Sequence, residues 1–465
     1  MTSAPLISLQ APKDVSLPQI QAELDAIWTL YEKPSADGRS LGATKATTFT
    51  LLVYEPEETQ QLLAELGYYT GPVDGISGPR MYAAILAAQN AFKLTATGRI
   101  STELIERLRK EVFVCRGVDV REGDVCNISP YGRDIDGAGL ADAIAVQNPC
   151  RIISLFPNSD IDESVTAQVS AYCPIQKRAA VAMVCCEYVM LKGSESALSR
   201  STSLVRSLIQ TDLPSFLWWK GTPNLDQELF QQLAKSCTVL IVDSSRFSTD
   251  GAGDLVRLQE LQDEGVQIAD LNWRRLAPWQ ELAAEAFDAP ERWQLLGEVD
   301  RVTIDYEKGN PTQALLFLGW LASRLKWQPT IQMKEGGEFD IQRIHFIGAN
   351  GKAVEVELAA IHTANLGTVV GDLLDLRLDS SNPNVNCCTI LCSETKGCMR
   401  LEAKGAAQSC TVNQVTPLRD EKAETLLSEQ LRTTMRDLLY EDSLAIAAQI
   451  AEFSLSSRDY RDEAY

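Results

Sequence analysis

Hydrophobic and polar positions follow two different periods along this chain. From residue 150 onward, short apolar runs at 151–156, 166–172, 216–219, 239–242 and 266–270 alternate with stretches of helical spacing near 195–210, 225–234 and 254–263. Strands alternating with helices of that length predict βαβ units and a mainly parallel sheet. Upstream, residues 1–17 are polar and punctuated by proline, and read as a loose arm. Ile20, Leu24, Ile27 and Tyr31 then fall on one helical face, with Pro18 suited to the first turn. A β-rich run at 47–54 completes this part and is expected to join the same sheet.

Between that run and residue 150 the pattern forms a unit of its own. A helical stretch from Gln60 stops at Gly67, a natural helix terminator, a second helix opens at Pro79, and a third follows Ser101. Residues 113–145 hold glycines and acids with few apolar positions, and read as a linker or long loop. Beyond residue 290 the pattern changes again. A helix from Thr312 to Lys326 precedes short β-runs between residues 330 and 415, and one final helix carries Leu426, Leu427, Leu431, Met435, Leu438 and Leu439 before a solvated tail at 456–465.

The expected fold class is therefore α/β plus α+β, with a mainly parallel α/β sheet domain, a small inserted three-helix module, and a C-terminal domain of antiparallel sheet and helices. Residues 1–57 supply the arm, first helix and first strand. The module spans 58–112, the rest of the α/β domain 113–290, and the C-terminal domain 291–465.

Composition narrows the function. With 43 Lys+Arg against 63 Asp+Glu, the 465 residues carry a net charge of −20. A field of that sign repels phosphate backbones and anionic lipid, so neither nucleic acid nor membrane is expected as a partner. No cationic segment followed by an apolar run opens the chain, and no stretch is long enough to span a bilayer, so the expected location is the cytoplasm. The 12 cysteines are too sparse for a disulfide scaffold.

Catalytic signatures are absent. Gly348-Ala349-Asn350-Gly351-Lys352 has the wrong spacing for a phosphate loop, Gly251-Ala252-Gly253 lacks the third glycine of a dinucleotide fingerprint, and the two histidines, His345 and His362, sit in apolar stretches. No catalytic residue, metal site or cofactor is expected.

Two features carry more information. Residues 67–80 (Gly67-Tyr68-Tyr69 through Gly75 to Gly78-Pro79-Arg80) resemble the core of peptidoglycan-binding-like modules, which implies either glycan binding or two tight turns and a helix start put to structural use. Trp218 and Trp219 alternate faces in a predicted strand, so one can be core while the other reaches a surface as a partner contact.

The runs at 47–55, 148–155, 169–173, 185–187, 203–221 and 319–322 together resemble the OpcA family of glucose-6-phosphate dehydrogenase assembly and activator proteins, most nearly its cyanobacterial branch. The resemblance implies a non-enzymatic protein that binds glucose-6-phosphate dehydrogenase, raises its activity, and answers to thioredoxin. A cysteine group at 387, 388, 392, 398 and 410 fits that implication. Cys392 and Cys398 flank a polar five-residue interior suited to a hairpin loop, where facing cysteines lie within disulfide reach. Lys396 between them is placed to lower a thiol pKa and is a further contact candidate. Free thiols on a sheet, and a zinc site without paired Cys-x-x-Cys arms, are the competing readings of the same residues. Two other functions stay open at this point, an enzyme acting on a phosphosugar and a glycan-binding protein.

Overall fold

The computed structural model describes residues 6–31, 43–56, 58–69, 79–115, 144, 148–158, 164–174, 183–210, 212–247, 251–288, 290, 294–336, 340–361, 371–382, 388–393, 398–404, 410–417 and 423–462. The chain divides into two compact units. The first comprises Met1–Val242 with Val266–Ile268 and Ala423–Met435, and the second comprises Asp243–Gly265, Ala269–Lys422 and Arg436–Tyr465.

The sheet of the first unit contains β1 (Leu6–Val15), β2 (Ala43–Lys45), β3 (Thr50–Tyr54), β4 (Arg151–Asn158), β5 (Thr166–Pro174), β6 (Met183–Ser194), β7 (Ser215–Trp219), β8 (Val239–Val242) and β9 (Ile268–Asp270). Its order is β1-β5-β6-β4-β3-β7-β8-β9, with β2 beside β6. From β6 to β8 the neighbours run parallel. At the other edge β5 is antiparallel to both β1 and β6. Every residue of β3, β7 and β8 is buried, as continuous apolar runs in a parallel sheet require.

The mixed α/β character matches expectation, but the N-terminal arm does not. Residues 6–15 form a ten-residue strand on β5. Pro12 falls at a register shift between Gln10 and Lys13, so a proline that removes a ladder donor is accommodated on an edge strand. Helix α1 (Ile20–Tyr31) buries Ile20, Leu24, Ile27 and Trp28.

Three helices, α2 (Glu58–Glu65), α3 (Pro79–Ala91) and α4 (Thr102–Cys115), share a core built on Leu63, Ile85, Ala88, Leu104 and Leu108. Gly67 closes α2 at φ +76°, its N–H donating to Ala64 O, a conformation that favours glycine. Most of the loop that carries the peptidoglycan-binding-like motif, residues 70–78, lies outside the described residues, as do residues 116–143 of the expected linker. Helices α5 (Glu195–Arg200), α6 (Thr202–Leu208), α7 (Glu228–Ala234) and, near the C-terminus, α12 (Ala423–Gln430) complete the unit. Asn148 Nδ2 donates to Ser428 O on α12 at 2.9 Å.

The second unit holds an eight-stranded sheet: β10 (Arg301–Glu307), β11 (Gln328–Gly336), β12 (Ile341–Ile347), β13 (Ala353–Ile361), β14 (Leu373–Asp379), β15 (Cys388–Ser393), β16 (Cys398–Lys404) and β17 (Cys410–Pro417). Its order is β11-β12-β13-β10-β14-β15-β16-β17, and β10 with β13 is the one parallel pair along it. Helices α8 (Gly251–Asp263), α9 (Leu271–Arg275), α10 (Ala277–Glu285), α11 (Thr312–Leu325) and α13 (Leu438–Asp462) belong to this unit. Helix α11 approaches α13 so closely that a Cβ on Gly319 would stand 2.2 Å from Ser443 O.

The single final helix expected from the leucine spacing is instead two, α12 and α13. Asp437 caps the second by accepting from Leu439 N and Tyr440 N at 3.1 Å, which starts a new helix where the first has ended. Met435, Leu438 and Leu439, expected on that one helix, are exposed. The stretch read as a solvated tail continues α13 to Asp462.

Candidate functional site

In the first sheet, β3 has β4 on one side and β7 on the other, so the chain reverses its direction of winding there. The crevice beyond the carboxyl ends of such strands is where open α/β sheets bind ligands. Here the position is filled from within. Tyr54 pairs with Trp219 in register, and their rings stack at 3.6 Å between centroids. Lys220 N donates to Tyr54 O at 3.4 Å, which sets Lys220 beside Glu55. The two form an ion pair with both side chains at most 1% exposed. The Lys220 ammonium also lies 4.4 Å from the centre of the Trp218 ring. Among the described residues, Glu55 Oε2, Thr59 Oγ1, Thr222 Oγ1 and Trp219 Nε1 have no hydrogen-bond partner.

Trp218 and Trp219 are both 0% exposed, which corrects their assignment as partner contacts. Alternation does send them to opposite faces, but both faces of β7 are covered. Trp219 packs edge-on against Phe230 of α7 at 4.8 Å, and Trp218 lies under the Lys220 ammonium.

The second unit contains a buried polar centre that sequence reasoning missed. Asp243 receives both terminal nitrogens of Arg275, at 2.7 and 2.9 Å, and the Ser245 hydroxyl at 2.6 Å. Burial pushes the Asp243 carboxyl up, but the Arg275 guanidinium and Ser245 outweigh it and hold the group at about 2. Asp270 caps α9, its Oδ1 accepting from Ser244 N at 3.0 Å and Asn272 N at 2.9 Å, while its Oδ2 has no partner among the described residues. Burial, assisted by the nearby Asp243 charge, pushes Asp270 up to about 6 against the pull of those donors. Asn272 Nδ2 donates to the Ser244 hydroxyl at 3.0 Å, and Asn310 Nδ2 to the Ser244 carbonyl at 2.8 Å, so α9 and the start of α11 are tied to one loop. The i, i+2 spacings Asp243/Ser245 and Asp270/Asn272 are the one sequence signal; the pairings between them are long-range.

The cysteines are arranged differently from the expectation. Cys173 and Cys185, on β5 and β6, form a disulfide with Cα atoms 4.2 Å apart. Beside it, Cys150 and Cys186 are buried free thiols, with Cys150 N donating to Cys186 Sγ at 3.4 Å. The hydrogen bond from the Cys150 thiol lowers the Cys186 pKa, while burial raises that of Cys150.

At the expected hairpin, the ladder pairs Cys392 with Met399 and Ser393 with Cys398, so the two cysteines occupy neighbouring rungs and not one facing pair. Their side chains, together with Lys396 and Cys387, lie outside the described residues. His345 lies on β12 opposite Glu355, and His362 is outside the described residues. Among the described residues no three His, Cys, Asp or Glu side chains gather as a metal site, and no helix is long and apolar enough to cross a membrane.

Comparison with known proteins bears on both halves. Residues 141–260 match the family described as "Glucose-6-phosphate dehydrogenase subunit N-terminal domain", and residues 266–444 its "C-terminal domain" counterpart. The chain is 52% identical over 451 residues to the "Putative OxPP cycle protein OpcA" of Nostoc punctiforme, covering 97% of this chain and 96% of that one. A Synechocystis protein of the same name is 48% identical over 455 residues, covering 97% and 94%. The chain belongs to the OpcA family.

Within this OpcA chain, residues 55–108 also match a "Putative peptidoglycan binding domain". Among solved structures, the 3-ketoreductase KijD10 of Actinomadura kijaniata aligns with a TM-score of 0.38 at 11% identity, over 66% of this chain and 96% of that one, which is too distant to bear on function. The family name links OpcA to the oxidative pentose phosphate cycle and to assembly of glucose-6-phosphate dehydrogenase.

Proposed function

We propose that this OpcA chain is a non-catalytic, redox-responsive partner that binds glucose-6-phosphate dehydrogenase and raises its activity. The observation that carries this reading is the match of residues 141–260 and 266–444 to the two domains described for a glucose-6-phosphate dehydrogenase subunit. The switch point supports it. The turn after β3 reads Glu55-Pro56-Glu57-Glu58, without a glycine, and Lys220 is already neutralised by Glu55. A nucleotide-binding loop at this position would carry glycine and offer its backbone amides to a phosphate.

As an allosteric activator, OpcA must bind the competent conformer of the dehydrogenase better than the incompetent one, and substrate must then tighten the complex in return. The redox response is assigned to thioredoxin acting on Cys392 and Cys398, with Lys396 aiding attack. On neighbouring rungs, a bridge between them needs β15 and β16 to shift by one residue, so oxidation and hairpin register are coupled.

The test is the rate of glucose-6-phosphate dehydrogenase against substrate concentration, with and without this protein, oxidised and thioredoxin-reduced. A lower KM that weakens on reduction, and a Cys392→Ser variant blind to reduction, are the expected results. No change in rate in either state overturns the activator reading, and turnover of a phosphosugar by the protein alone replaces it with an enzyme.

A further inference from the structure

We propose that Cys173–Cys185 is a second redox site, a reducible bridge that fastens the N-terminal segment β1–α1–β2 to the sheet and is opened by a dithiol reductant. The two cysteines form the rung after Tyr172–Cys186, at the turn end of the β5–β6 hairpin.

Three elements of one segment converge on that rung. β1 pairs Ile7 with Cys173. β2 pairs Lys45 with Cys185, and Ala46 N donates to Cys185 O at 2.9 Å. Helix α1 covers the face that bears the bridge. Side chains alternate along β6, so Glu187 shares the face of Cys185. Trp28 Nε1 of α1 donates to Glu187 Oε1 at 2.6 Å. Arg151, ion-paired with Glu187 at 2.6 Å, reaches Gln21 of α1 at 3.4 Å.

This cover is short or irregular in its pairing. β2 has three residues, and the pairing of β1 shifts register twice. Short strands and strands with interrupted registers open locally before the core does. The bridge holds the ends of β5 and β6 together, and those ends are the template for Ile7 and Lys45. Without it, the turn end of the hairpin, where both strands run out into their connection, loosens, and the segment loses its template on both edges.

Reduction leaves a tolerable state, because a buried thiol behaves as a small apolar group. Cys186, next to Cys185 on β6, and Cys150, whose N–H donates to it, are already buried as thiols. In the reaction, a reductant thiolate attacks one cysteine sulfur, breaking the S–S bond and forming a mixed disulfide. The second reductant thiolate then displaces the protein sulfur. Two electrons and two protons end on Cys173 and Cys185, and the reductant leaves as its own disulfide. Both cysteines are 0% exposed, so the segment must lift before attack, and the opening that admits the reductant is the one reduction goes on to favour.

The experiment uses the full chain with Cys392→Ser and Cys398→Ser, so that the hairpin is silent. Dithiothreitol is the reductant, with alkylation mapped by mass spectrometry and amide hydrogen exchange followed on residues 6–15, 20–31 and 43–45. We expect a linked Cys173/Cys185 peptide in the oxidised protein and two further alkylations per chain after reduction. Exchange across 20–31 should then rise at least tenfold, with no change across 312–325. A Trp28→Phe variant, which loses the donor to Glu187, should be reduced several-fold faster. Free alkylation of both cysteines without reductant overturns the site. Reduction without a change in exchange makes the bridge a static staple and overturns the fastening role, and an unchanged rate in Trp28→Phe overturns gating by α1. The proposal does not rest on the dehydrogenase reading, which fails separately if the enzyme's rate ignores the protein.

Discussion

Asp270→Asn should stabilise the second unit at neutral pH and lose that advantage in acid. The carboxyl is 2% exposed, its Oδ1 holds two backbone amides, and its ordinary value of 3.8 is pushed to about 6 by burial and by Asp243. Around it stand Asp243 with its partner Arg275, and Tyr440, whose phenol is pushed up by burial and by the charges of Asp270 and Asp437. A carboxyl whose folded pKa is raised binds its proton more tightly in the folded state. Stability is therefore lost as pH rises from about 4 to about 6, and the deficit is complete above that range. About two pKa units at ~1.4 kcal/mol each give ~3 kcal/mol. Asparagine keeps the Oδ1 acceptor and serves equally as a helix cap, but cannot ionise. The difference between variant and wild type should thus grow from near zero at pH 4 to ~3 kcal/mol at pH 7. The lowered Asp243 adds its own slope between about 4 and about 2, common to both proteins, which cancels in the difference. Urea unfolding at pH 4 to 8, read by hydrogen exchange of peptides from 301–325, follows this unit by itself. A difference that is flat with pH, or a variant that weakens above pH 6, would refute the argument.

Two further perturbations test the buried contacts. Lys220→Met leaves Glu55 charged and unpaired in the core and should cost about 3–5 kcal/mol, whereas Glu55→Leu combined with Lys220→Met should recover most of it; urea midpoints of the three proteins decide, and a double variant as weak as the single one would disprove the pairing. Gly319→Ala forces a Cβ against Ser443 O at 2.2 Å, so α11 and α13 must part, at a cost of about 1–3 kcal/mol; thermal unfolding checks it, and an unchanged midpoint would show that the approach is looser than described.

How far the sequence announced this structure depends on how local the cause of each element is. β3, β7 and β8 are short apolar runs bounded by turn residues, buried on both faces, and so legible without tertiary context. β1 was not, because Leu6–Val15 contains Pro12, Lys13 and Asp14 and is a strand only through its pairing with β5. The break between α12 and α13 was hidden because leucine spacing continues across it, while the decisive residue, Asp437, acts as a cap. The site was less legible than the fold. Glu55 and Lys220 are 165 residues apart, and nothing near either one points to the other. The Cys173–Cys185 bridge left one usable signal, since the two residues end and begin successive β-runs at a separation of 12, the distance of a hairpin closure. Reading 183–194 as a strand would have exposed it.

The two proposed redox pairs differ in what a reductant would meet first, and that difference bears on how this chain would answer to thiols. At β15–β16 the cysteines sit on neighbouring rungs at the turn end of a hairpin, so bridging competes with strand register. At β5–β6 they share one rung under a helix and two strands, so bridging agrees with register and competes only with access. A pair that agrees with register gains nothing from the sheet by opening, and its reduction is limited by how often the cover lifts. A pair that fights register is driven open by the ladder itself and should reduce readily. The hairpin should therefore respond first as reductant rises, and the N-terminal clasp only under sustained reduction. Two thresholds on one chain give a graded response, and alkylation of the wild-type protein across a thiol titration should show the hairpin cysteines labelled before Cys173 and Cys185. The reverse order would mean that the cover, and not the register, is the weaker constraint.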